Sequence, residues 1–195
     1  MHRYRPPMRL VGSRVALREF RADDLDDSMA VVGDDRVTKW LSFDSLSREE
    51  QSARLTAAIQ RAQHHPRTEF YLAVTRLDDD RLIGFCRLGL GEARAGKLGV
   101  AIAADHHGQG YATDASRAMV DFGFCQLGLH RITATIGPEN TVSLRVIEKL
   151  GFTLEGRLRD HVFTNGSWRD SLLYSMLEDD WRQLGQAQSA AKPGD

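Results

Sequence analysis

Between residues 97 and 136 the apolar periodicity changes twice, and this limits the fold more than any other feature of the chain. "KLGVAIA" (97–103) sets Leu98, Val100 and Ile102 on one side, the period of two that marks a strand. From Ala112 the spacing becomes helical: Ala112, Ala115, Met119, Val120 and Leu127 recur before Gly128 stops the run. "HRITATI" (130–136) is a strand again. Strand, helix and strand in succession make a crossover, which joins parallel neighbours. Upstream, "EFYLAVTR" and "LIGFCRLGL" are β-rich runs parted by "LDDD", the pattern of an antiparallel hairpin. The expectation is an α/β fold with a mixed, mostly antiparallel central sheet and flanking helices.

The remaining segments fit that frame. "RVALREF" (14–20) reads as a strand, and "ADDLDDSMAVVGDD" as a short helix with acids in its first turn, where the helix dipole favours them. "SREEQSARLTAAIQRAQHH" (47–65) opens with Ser47 and Glu50 in capping-box spacing and carries Leu55, Ala58, Ile59 and Ala62 on one face. Asn140 to Leu150 forms a helix closed by Gly151, and "FTLEGRLRDHVF", "TNGS" and "WRDSLLYSML" make a long hairpin. A length of 195 residues suits one domain, expected over 1–185, with 186–195 as a small, polar, flexible tail.

Twenty-six basic and 27 acidic side chains leave a formal charge of −1, so no global field draws the chain to nucleic acid or to a membrane. "MHRYRPPMRL" has no apolar core of signal-peptide length, and no apolar run approaches a membrane span. Cys86 and Cys125 sit in apolar surroundings and are expected as buried, reduced thiols. A cytoplasmic protein is the expectation.

The chemistry concentrates in "DHHGQGYATDA" (105–115), at the carboxyl end of the first strand of the crossover. Mixed α/β sheets bind ligands there, and a helix N-terminus offers free N–H groups. Adjacent His106 and His107 point apart in an extended segment and lack zinc-site spacing, so no metal is expected. "GQGYATD" also lacks the lysine and hydroxyl of a nucleotide-cleaving phosphate loop. A turn without ligand stays open, as does a loop whose amides wrap an anion, with Gly108 and Gly110 allowing close approach. In "ENTVSLRVIEKLGF", Asn140 and Ser143 lie one helical turn apart beside the loop's mouth, while Val146, Ile147 and Leu150 face inward. Asn140 by itself could be a helix cap.

"HGQGYATDA", "LHRITATIGPENTVSLRVIEKLGFTLEG" and "TNGSWRD", in this order, resemble the GCN5-related N-acetyltransferases, and within them the branch that acetylates ribosomal-protein N-termini and polyamines. The resemblance runs from "RVALREF" to the tryptophan of "EDDW". It implies a splayed parallel strand pair and an acyl-CoA site, with acetyl-CoA as donor and no metal. The pyrophosphate would lie on the amides of His107, Gly108, Gln109, Gly110, Tyr111 and Ala112, and the pantetheine near Ile102, where that strand splays from the one carrying Thr133. Asn140 and Ser143 would contact the same arm and form the candidate catalytic pair.

Two departures from the family pattern bear on mechanism. Ile147 stands where many members have a proton-donating tyrosine, which passes that role to Ser143. Lys97 stands where many have a glutamate, so the usual base is missing and proton removal through water is expected, with His106 and His161 as nearby imidazoles able to receive a proton. The implied reaction moves an acetyl group to a primary amine, a protein N-terminus or a small and cationic amine. Transfer from another acyl-CoA such as succinyl-CoA, modification of an antibiotic and non-catalytic acyl-CoA sensing are the alternatives. Asp23, Asp24, Asp26, Asp27, Asp34 and Asp35 form either a solvated helix face or an attractor for a cationic acceptor. Arg18, Trp40, Arg159 and His161 are further candidate lining residues, and a homodimer is left open.

Overall fold

The computed structural model describes residues 8–190. Eight strands form one sheet: β1 (Arg9–Val11), β2 (Val15–Arg18), β3 (Glu69–Arg76), β4 (Leu82–Leu90), β5 (Ala95–Ile102), β6 (Arg131–Ile136), β7 (Thr153–Thr164) and β8 (Ser167–Leu177). Their order is β1-β2-β3-β4-β5-β6-β8-β7, antiparallel at every pairing except β5–β6. Six helices flank it: α1 (Leu25–Val32), α2 (Asp35–Thr38), α3 (Arg48–Ala62), α4 (Tyr111–Cys125), α5 (Thr141–Lys149) and α6 (Glu178–Ala190).

Helices cover both faces of the sheet. On one, α4 and α5 bring Ala115, Met119, Phe122, Ile147 and Leu150 against Leu88, Leu98, Ile102, Ile132 and Ala134. On the other, α1 and α3 bring Val31, Val32, Leu55 and Ala58 against Ala73, Leu82 and Ala101. β5 feeds both, because alternate side chains of a strand point to opposite faces. α3 starts as its sequence requires: Ser47 Oγ accepts from Glu50 N–H (3.2 Å) and Glu50 Oε2 from Ser47 N–H (2.7 Å). The β7–β8 hairpin turns on Asn165 and Gly166, at φ +50° and +70°, the left-handed pair that a two-residue turn matched to strand twist demands.

Several expectations need correction. The strand expected over 14–20 is limited to Val15–Arg18, and all four residues are buried because sheet and helices cover both sides. β1 and α6 carry no clear signal in the sequence. α6 makes Gln186–Ala190 helical, so the first half of the expected tail belongs to an element; residues 191–195 lie outside the described residues, as do 1–7 of the N-terminal stretch. The indole of Trp181 explains α6: it stacks on Phe124 (5.5 Å between rings) and donates to Asp121 Oδ1 (2.7 Å). Cys86 is buried, and burial pushes its thiol well above the ordinary range, but Cys125 is exposed. Among the described residues no helix is long and apolar enough to cross a membrane.

Candidate active site

β5 and β6 pair at only three positions, Ala95–Arg131, Gly96–Ile132 and Lys97–Thr133. Thr133 Oγ1 donates to Gly96 O across this vertex (3.2 Å). Beyond it β5 stays with β4, out to the Ile102–Gly84 pair, and β6 stays with β8, out to Ile136–Leu172. Each strand is held from its outer side, so their inner edges part and open a wedge through the sheet. Backbone N–H and C=O groups along that wedge no longer meet a neighbouring strand, and such groups require partners.

The glycine loop lies at the wide end of the wedge. After a single 3₁₀ turn (Ala104–His106), the His107 ring meets Ile102 O through Nε2 at 2.7 Å, and its own N–H is already given to Ala104 O (3.1 Å). That bears on one expectation: the His107 amide, expected on a pyrophosphate, is already engaged within the chain, and so is the ring. Gly108 and Gly110 adopt φ +76° and +81°, which side chains resist, and Gly110 occupies the N-cap of α4. Asp114 is the first α4 residue whose N–H turns back, to Gly110 O (3.0 Å), so the amides of Tyr111, Ala112 and Thr113 remain directed out of the helix end. Ile102, His107, Gly108, Gln109, Gly110, Tyr111 and Ala112 thus form one continuous rim.

A residue that the sequence did not single out secures this rim. Both carboxylate oxygens of Asp114 face the β1–β2 turn: Oδ1 accepts from Ser13 N–H (3.1 Å) and Ser13 Oγ (2.8 Å), Oδ2 from Arg14 N–H (2.8 Å) and Val15 N–H (3.1 Å). Burial by itself would raise this carboxyl, but the bonds from Arg14 and Ser13 outweigh it and hold it below the ordinary range. Gly12 is required by this approach, since a Cβ there would lie 2.3 Å from Asp114 Oδ2. An acid in the first turn was legible; its partners, about a hundred residues earlier, were not.

Asn140 caps α5, with Oδ1 accepting from Ser143 N–H at 3.2 Å. The cap leaves the Asn140 amide NH₂ and the Ser143 hydroxyl free to serve other partners, and both side chains are half-buried. Ile147 is a buried core residue (4% exposed), so it supplies packing where a proton donor would otherwise stand. A further hydroxyl of this region, on Tyr174, is engaged with Glu148 Oε1 (3.1 Å).

The expected acceptor-lining residues divide. Arg18 is buried and bidentate to buried Asp24 (2.9 and 2.8 Å), with Asp80 3.3 Å from Nε, so both Arg18 and Asp24 are structural. Asp26 pairs with Arg48, Asp27 with Arg81 and Asp34 with Arg36, while Asp35 accepts from Ser45. Of the six acids only Asp23 is exposed without such a partner among the described residues. The run is therefore largely neutralised and is not an open anionic surface. Trp40 is exposed near the seam where Arg169 of β8 donates to Lys39 O and Leu41 O. Arg159 and His161 line an open cleft of about 860 Å³ with Arg157, Leu158, Asp160 and Asp170.

The model of the GNAT acetyltransferase domain matches residues 14–153. The chain belongs to the GNAT acetyltransferase family. It is 31% identical over 182 residues to a Bacillus subtilis protein named "Probable N-acetyltransferase YjcK", covering 89% of this chain and 99% of that one. It is 30% identical over 121 residues to the Escherichia coli [ribosomal protein uS5]-alanine N-acetyltransferase, covering 60% and 62%. Mycobacterium smegmatis RimJ, solved in complex with CoA-disulfide, superposes with a TM-score of 0.76 at 25% identity over 93% of each chain. As a GNAT member the protein is an acyl-CoA-dependent N-acetyltransferase, and its wedge and glycine rim occupy the part of the fold where the resemblance was most specific.

Proposed function

We propose that this GNAT protein transfers an acetyl group from acetyl-CoA to the α-amino group of a protein or peptide N-terminus, by direct attack of the amine on the thioester. The observation that carries the donor half is the coincidence of two features. Pairing between β5 and β6 stops at Lys97–Thr133, and the outward amides of α4 lie at the open end of the same wedge. Those amides, with the glycine backbone of 108 and 110, would hold a diphosphate without metal or lysine. The inner edge of β5 up to Ile102 would meet the amide-rich arm of the carrier as a neighbouring strand would.

The thioester supplies an acyl group already activated for transfer, so the protein's task is to position and to manage charge. Asn140 NH₂ would orient the arm. The Ser143 hydroxyl would give a proton to the departing sulfur as charge develops there. An α-amino acceptor is favoured over a polycation by the acids of residues 23–35, which are mostly matched by arginines or hydroxyls within the chain. It also ionises at roughly 8 rather than roughly 10, which asks less of a base.

Thiol release from acetyl-CoA and succinyl-CoA, measured with N-terminal peptides, spermidine and free lysine, tests this reading. Acetyl-CoA with peptides of free N-terminus should be preferred. Faster turnover of spermidine would overturn the acceptor, preference for succinyl-CoA the donor, and tight CoA binding without transfer to any amine the catalytic reading itself.

A further inference from the structure

The face of the sheet opposite α4 and α5 holds a second cluster that the donor site does not use. Register places Lys97, Thr133 and Ser171 on that face: Lys97 pairs with Thr133, Thr133 with Ser175, and Ser175 and Ser171 alternate in phase along β8. Between Leu158 and Val162 the β7 strand bulges away from β8, with Asp160 at φ +47°. Bulges re-aim side chains. Here the bulge sets the exposed His161 ring against β8, so that its Nδ1 lies 3.0 Å from the buried Ser171 Oγ and the rest of the ring stays open to the cleft. The wedge between β5 and β6 is the passage from this face to the rim of the donor loop.

We infer that His161 is the general base of the acetyl transfer, held by Ser171 as its positioning residue, and that the acceptor amine enters through the cleft at the β7 bulge. The inference rests on the donor reading given above. With Nδ1–H donating to Ser171 Oγ, the Nε2 lone pair faces the cleft. As the amine nitrogen bonds to the acyl carbon it becomes acidic, and its proton passes to Nε2. The C–S bond breaks, and the sulfur takes its proton from the Ser143 side.

The charges around the ring favour this role. Arg157, Arg159 and Asp160 face it from β7, Asp170 from β8 and Lys97 from β5. Arg157 and Asp170 pair with each other (2.6 Å), and the Asp160 N–H also bonds Asp170 (2.9 Å), so the Asp170 carboxylate is committed away from the imidazole. Desolvation and the Lys97 ammonium hold the ring below its ordinary pKa, which leaves it neutral at pH 7. A lysine in place of the usual glutamate on β5 then has a role: it keeps the base unprotonated from the neighbouring strand. His106 is unsuited, since its ring lies against Tyr111 at the donor loop (6.2 Å between centroids).

Two measurements on the full chain decide the matter. Nitrogen-15 NMR of the free protein reads the ring without any turnover: Nδ1 protonated, Nε2 bare and a pKa below the ordinary value support the inference. An Nε2–H tautomer or a raised pKa overturns it, whatever the acceptor proves to be. Steady-state kcat/KM with two acceptor amines of different pKa gives the second. Below the His161 pKa the wild-type profile should steepen from one proton to two, at a pH independent of the acceptor. In His161→Gln that steepening should vanish and kcat/KM fall tenfold or more with the KM for acetyl-CoA unchanged. Ser171→Ala should move the inflection and Ser171→Thr restore it. A His161→Gln enzyme with wild-type rate and profile would return proton removal to water.

Discussion

The Asp114 carboxylate offers the sharpest test of how the fold holds its site. Replacing it by alanine strips four donors of their acceptor at once, but their costs differ. Ser13 and Arg14 are exposed, so their groups turn to water at little cost. Val15 is fully buried, and its orphaned N–H costs about 1–3 kcal/mol. Loss of an anion in the first turn of α4 removes about 0.3–1 kcal/mol more. The sum, about 1.3–4 kcal/mol, corresponds to a fall in Tm of roughly 3–16 °C for a domain of this size. Asp114→Asn should fall between, because its NH₂ must face donors on one side. Gly12→Ala should approach the alanine variant, since the new methyl would occupy the carboxylate's place.

The sign with pH follows from the depressed pKa. Asp114 is ionised in the folded state below the pH at which it is ionised in the unfolded chain, so its contribution is complete above about pH 4. It is lost as pH falls through the folded pKa. Urea unfolding at pH 7 should therefore show the full wild-type advantage over Asp114→Asn, and the two curves should converge in acid. Equal stability at pH 7, within about 0.5 kcal/mol, would refute the clamp, and a gap that widened in acid would refute its electrostatic origin.

Gly110→Val forces a β-branched residue to φ +81° at the cap of α4, and calorimetry on the folded variant should show CoA affinity reduced tenfold or more, about 1.4 kcal/mol; unchanged affinity would move the donor site elsewhere. Ser143→Ala should lower kcat more than it raises the KM for acetyl-CoA, and Asn140→Ala should do the reverse, because only the first contact strengthens as charge grows on sulfur. A rise in KM alone for Ser143→Ala would reduce it to a binding residue. Arg18→Ala leaves Asp24 buried without its partner and should cost about 3–5 kcal/mol in chemical denaturation, with no selective effect on the KM for an amine in any variant that still folds.

The order of elements and the location of the site were carried by local signals. The switch between periods of two and 3.6 around residue 112 made the crossover legible, and the crossover made β5–β6 the parallel pair. Ser47 with Glu50, Asn165 with Gly166, and Gly108 with Gly110 announced a cap, a turn and a loop, because each depends on the φ/ψ preferences of its own few residues. The same locality explains the omissions. Arg18 read as a candidate lining residue, and the acids of 23–35 as a solvated face or an attractor for a cation, until β2, α1 and the β3–β4 connection met and matched most of them with partners, and Cys125 read as core because its neighbours are apolar. Asp114 became a clamp only when the β1–β2 turn docked on it, and α6 a packed element only when Trp181 found Phe124; His161 was already a candidate proton acceptor in the sequence, but its Ser171 partner was not legible there. Backbone preference acts between neighbours in the chain and can be read there. Ion pairing, desolvation and the aim of a side chain depend on atoms brought together from far apart in the chain, and those exist only once it has folded.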